Sequence, residues 1–104
     1  MSEINSFREK VIRSPNNLFF RYSFAQLLAN NNQAEEAILH LNICLKNRDD
    51  WMMAVMLKAK LELGLGRKEE AMVSLEKTIE LAEAQDHQDP LSEASEILTS
   101  LQNS

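Results

Sequence analysis

The run Gln33-Ala34-Glu35-Glu36-Ala37-Ile38-Leu39 returns 34 residues later as Arg67-Lys68-Glu69-Glu70-Ala71-Met72-Val73. A fixed period of this length marks a helix-turn-helix unit that stacks on its neighbour, because one such pair cannot bury its apolar face alone. The echo reaches beyond the heptapeptide: Ala25 recurs as Ala59, Leu27 as Leu61, Leu41 as Leu75, Leu45 as Ile79, and Asn32 as Gly66. Alanine at 25, 37, 59 and 71 lets antiparallel helices approach closely. Asparagine and glycine most readily adopt the positive φ that a sharp interhelical turn needs. A stacked array of this kind buries its own core and offers the remaining surface to partners, so the pattern points to binding and away from catalysis.

Apolar spacing of three and four residues predicts about six helices, over roughly 2–14, 18–30, 33–46, 51–64, 67–85 and 89–101. Ser2 is placed to cap the first, Pro15 to stop it, and Asn16 or Asn17 to cap the second. Asp49-Asp50 is expected to put carboxylates at the start of the fourth helix, and Asp89-Pro90 to be an N-cap followed by proline at the first helical position. Only two glycines and two prolines occur, and good helix formers dominate, so the class is all-α. The most apolar stretch, Trp51 to Leu65, carries Lys58, Lys60 and Glu62 and falls short of the roughly 20 residues needed to cross a bilayer. With no basic region followed by an apolar run at the N-terminus, the expected location is cytoplasmic. Cys44, the only cysteine, has apolar helical neighbours and reads as a small buried residue.

On these positions the chain resembles the tetratricopeptide repeat family, whose unit is a pair of antiparallel helices with small residues at its eighth and twentieth positions. Starting the unit at Leu18 and at Met52 puts Ala25 and Ala59 at the eighth, Ala37 and Ala71 at the twentieth, Leu41 and Leu75 at the twenty-fourth, and Cys44 and Thr78 at the small twenty-seventh. The resemblance implies a right-handed α-α superhelix in a single domain, residues 1–104. Its parts are a half repeat over 2–15, full repeats over 18–51 and 52–85, and a capping helix over 89–102. Two departures stand out. Val55, Lys58 and Glu62 replace the first repeat's Arg21, Phe24 and Leu28 at the fourth, seventh and eleventh positions, which leaves the rotation of that helix open, since Leu57 and Leu61 lie one step earlier. Asp49 and Glu83 also stand where the family closes its unit with proline.

Family repeats line a concave groove with the second, fifth, ninth and thirteenth residues. By resemblance the partner-binding residues are Phe19, Tyr22, Gln26 and Asn30 in the first repeat and Met53, Met56 and Lys60 in the second. Aromatics and methionines suit a peptide or an amphipathic helix. Met53 and Met56 read equally well as core filling. Members that grip a terminal carboxylate use lysine and asparagine at the fifth and ninth positions, whereas Tyr22, Gln26, Met56 and Lys60 stand here, which disfavours that specificity; Arg21 and Lys58 read as solvated surface.

A net charge of −5, with an acidic flank from Glu69 onward, has no basic footprint for nucleic acid. His40 and His87 share no metal spacing with Cys44, and the acid pairs Glu35-Glu36 and Glu69-Glu70 fall in first helical turns where the macrodipole favours them. No phosphate loop, nucleophile motif or cofactor fingerprint occurs. The expected function is a non-catalytic interaction module or scaffold that uses no cofactor or metal and binds a protein or peptide, with no nucleic-acid or membrane partner. The alternative is a self-associating subunit, a homodimer or larger assembly, that covers the apolar ends of a short array.

Overall fold

The computed structural model describes residues 2–104, which form six helices and no strand: α1 Glu3–Arg13, α2 Leu18–Asn30, α3 Ala34–Asn47, α4 Met52–Gly64, α5 Lys68–Ala84 and α6 Gln88–Gln102. They divide into two compact units, Met1–Asp49 with the first three helices and Asp50–Ser104 with the last three.

The chain's punctuation works as the residue chemistry demands. Ser2 Oγ accepts the Asn5 N–H and Asn17 Oδ1 accepts the Phe20 N–H, each satisfying an amide that a helix N-terminus leaves open. Three helix ends close in the same way, on a residue with positive φ: Asn32 at 61°, Gly66 at 77° and Asp86 at 59°. At each, the next residue's N–H reaches back to the carbonyl of Leu28, Glu62 or Ala82, while its own N–H bonds to Ala29, Leu63 or Glu83, the paired bonds of a Schellman motif. The repeat foretold the first two turns; Asp86 is a third that it did not mark.

Two helix starts differ from expectation. α4 is preceded by Trp51 and has no acid in its first turn, so Asp49 and Asp50 belong to the connecting turn. α6 begins at Gln88 after His87, which puts Asp89 inside the first turn and Pro90 at the third helical residue. Proline is tolerated there because an N–H in the first turn has no partner within the helix.

In the first unit α2 packs on both α1 and α3. The α2 residues Phe24, Ala25 and Leu28 are buried, as are Ala37, Leu41 and Cys44 of α3, the face that the repeated alanines predicted. In the second unit α5 packs on both α4 and α6. Ala59, Leu75 and Ala94 form a core cluster there, with Ile79, Ile97, Leu98 and Leu101 against it. The open question of α4's rotation is answered by Val55 and Glu62, which are both buried while Leu57 and Leu61 are only half-buried. The helix therefore keeps the register of the first repeat and takes a carboxylate inside.

Candidate functional site

The α2 residues singled out as partner-binding lie three or four positions apart and so follow one side of the helix. Phe19 is 67% exposed, Gln26 and Asn30 are exposed, and Tyr22 is half-buried. Burial pushes the Tyr22 phenol above its usual pKa, so it stays a neutral donor and acceptor at physiological pH. The opposite side, with Arg21, Phe24, Ala25 and Leu28, is buried. α2 is anchored on one side and presents the other.

The corresponding face of α4 is different. Met53 is 45% exposed, but Met56 is only 2% exposed and fills core space, the other reading open for it. Lys60 is exposed and its Nζ lies 2.6 Å from Glu93 Oε2 of α6. Both side chains of that pair are about half exposed, so the bond itself contributes little stability, but it ties the lysine to its own chain. Of the seven candidates, Met56 alone has no surface to offer.

Sequence reasoning missed a polar chain in the first unit. Arg8 forms a two-pronged pair with Glu36, Nη1 to Oε2 at 2.6 Å and Nη2 to Oε1 at 3.2 Å, and its guanidinium also lies 5.0 Å from the centre of the Phe24 ring. Glu36 Oε2 lies 3.6 Å from His40 Nε2, and His40 Nδ1 accepts from Arg21 Nη1 at 2.9 Å. Arg21 Nη2 donates to the Pro15 carbonyl at 3.1 Å. Arg21, expected on the surface, is 9% exposed. Its guanidinium is held by a ring nitrogen of α3, reached only when the helices pack, and by a carbonyl of the loop that precedes its own helix.

The electrostatics agree with this geometry. The Arg8 hydrogen bond holds the Glu36 carboxyl below the usual carboxylate range. Burial first, and then the Arg21 charge, pull His40 below its ordinary pKa, which keeps the ring neutral with Nδ1 as acceptor and Nε2–H toward Glu36. Burial likewise raises the Cys44 thiol, whose Sγ lies 3.8 Å from the Leu18 carbonyl; this is a structural cysteine, as its neighbours predicted.

The signal was present in the 34-residue offset. Arg21 stands where the second repeat has Val55, and His40 where it has Ser74. In the second unit Ser74 Oγ donates to Glu62 Oε1 at 2.7 Å, and Glu62 stands where the first repeat has Leu28. Each unit thus packs a polar pair inside, part-buried in the first and buried in the second, that uses the same position of its rear helix and a different turn of its front helix. Among the described residues no helix is long and apolar enough to cross a membrane.

Neither a protein-family profile nor a curated protein sequence matches the chain. Solved structures do. A tetratricopeptide repeat domain protein from Salinibacter ruber superposes with a TM-score of 0.76 at 23% identity, covering 86% of this chain and 91% of that one. PcrH in complex with the chaperone-binding region of PopD gives 0.88 at 15% identity over 96% and 76% of the two chains. The TPR2B domain of yeast Sti1 in its pHsp70 complex gives 0.84 at 16% identity over 96% and 80%. The fold is tetratricopeptide-like.

Proposed function

We propose that this chain is a non-catalytic interaction module that binds a peptide or partner helix on the exposed side of α2, through Phe19, Tyr22, Gln26 and Asn30. Met53 and Lys60 of the second unit are further candidate contacts. The observation that carries this reading is the exposed Phe19 in line with two exposed amides on a helix whose opposite side is locked in a core. A large aromatic held at the surface by a rigid scaffold is the typical anchor of an interface, because it buries much area while losing little side-chain freedom. The likeness to PcrH and to Sti1 supports the reading, since the first was solved in complex with the chaperone-binding region of PopD and the second in a pHsp70 complex.

Panning a displayed peptide library against the purified chain tests it. Enriched peptides are expected to bind the wild type and to lose about tenfold in affinity on Phe19→Ala, the loss of one interface anchor. Failure to enrich any peptide, or binding indifferent to Phe19, overturns the reading.

The exposed apolar residues Leu39 and Ile43, one turn apart on α3, favour self-association as the second reading. Sedimentation across a concentration series decides it: a dimer that Leu39→Glu dissociates supports this reading, and a monomer at all concentrations removes it.

A further inference from the structure

Beside the end of α1, the first unit has a recess of about 460 Å³ lined by Pro15, Asn16, Leu18, Arg21, Ile43 and Asn47. It shares Asn16 and Leu18 with a second, shallower and more apolar recess bordered by Phe19 and Arg48. Among the described residues that line these recesses are Arg21 and Arg48 and no acid, in a chain whose net charge is −5.

Arg21 is the unusual member. More than nine-tenths of it is buried, and the two groups that hold it, His40 Nδ1 and the Pro15 carbonyl, carry no charge. A guanidinium offers five N–H donors, of which these partners take two, and the buried Nε has no hydrogen-bond partner. A buried cation held by neutral groups gains most from an oxyanion, and a planar fork matches a carboxylate best. Asn16 and Asn47 add amides at the same recess, while Leu18, Ile43 and Phe19 supply apolar wall beside them.

We propose that this recess accepts a carboxylate, seated on Arg21, from an acidic side chain that a partner segment carries next to a large apolar residue. The carboxylate seat is separate from the exposed side of α2, since Arg21 belongs to that helix's buried face; the two share only Phe19 at the rim. It rests on the binding-module reading only in that the carboxylate arrives on a peptide.

The test uses side-chain NMR of the intact chain, following the Arg21 Nε–H and the Asn16 and Asn47 amide signals. Two probes are titrated against sodium chloride of equal ionic strength: sodium propionate, and the capped tripeptide acetyl-Leu-Glu-Leu-amide. Saturable shifts of all three residues with the tripeptide, weaker with propionate, are expected. Equal saturation by both assigns the site to free small carboxylates and overturns the peptide source. No shift beyond that of chloride overturns the site altogether. Shifts confined to Phe19, Gln26 and Asn30 also overturn it while leaving the proposed function standing. Asn16→Glu puts a negative charge at the exposed mouth without touching the core, and is expected to weaken tripeptide binding about tenfold. Unchanged affinity in that variant counts against the recess.

Discussion

The two units run the same helical pattern over an apolar core and differ in the polar groups each packs against it. The first holds a chain of ionised and polar groups, Arg8, Glu36, His40 and Arg21, beside its aromatic Phe24; the second holds an apolar cluster around Ala59, Leu75 and Ala94 and one buried carboxylate bonded to a serine. Their surfaces differ in step. α2 keeps Phe19 exposed, whereas α4 has Met56 buried and Lys60 bound to α6. The difference teaches that a helical repeat constrains spacing closely and content loosely: alanines and turn residues recur, while positions between them can exchange Arg for Val or Leu for Glu if a partner is supplied from the next helix.

The largest expected effect tests the shared part of the pattern. Ala37→Arg and Ala71→Arg each place a bulky charge at a fully buried position, and each should cost about 3 kcal/mol or more. Chemical denaturation reads both; a large loss in one variant and none in the other breaks the equivalence of the repeats.

The next test is aimed at the unshared part. Arg21→Leu leaves the His40 ring nitrogen and the Pro15 carbonyl without their donor, at a cost of about 2 kcal/mol. Glu62→Leu, which installs the first repeat's residue, replaces a buried acid by an apolar group of similar size and should shift stability by less than about 1 kcal/mol, toward greater stability. If Glu62→Leu proves as damaging as Arg21→Leu, the carboxylate is as integral to its unit as the arginine is to the other.

A smaller effect is expected at the turns. Gly66 has open space where a Cβ would go, so its φ alone decides the outcome; Gly66→Ala should lose about 1 kcal/mol and Asp86→Gly gain up to about as much. Equal thermal midpoints would show that these turns tolerate either residue.

The smallest expected effect is a pH response confined to the first unit. His40 titrates lower in the fold than its free value near 6.5, so the unfolded chain takes up the proton first, and stability is lost as pH falls below about 6.5 toward the folded value. Glu36, also lowered, adds a second loss beginning near its unfolded value of about 4.3 and continuing as pH falls through the folded one. Hydrogen exchange at pH 7.5 and 5.5 should show faster opening of α2 and α3 at the lower pH, and His40→Ser should abolish the difference. An equal response in α4 and α5 would place the acid sensitivity elsewhere.

Much of this was legible in the chain because the physics involved is local. Ser2 and Asn17 mark helix starts by accepting from amides three residues on, Asn32 and Gly66 mark helix ends by their positive φ, and Ala25, Ala37, Ala59 and Ala71 mark contacts by being small. Met56 was legible only as a choice between core and surface, because a methionine suits both. Arg21 was misread, since its buried environment is built by Pro15 and His40, the latter 19 residues away on another helix.

By itself, then, the sequence determined the all-α class, the helix boundaries to within a residue or two, the turn positions and the faces that pack. Tertiary structure alone decided which polar side chains go inside and which candidate contacts remain exposed. The physical reason is that burying a charge is tolerable only when a partner meets it, and the partner for Arg21 or Glu62 is brought by the approach of a second helix, which spacing along one helix does not specify.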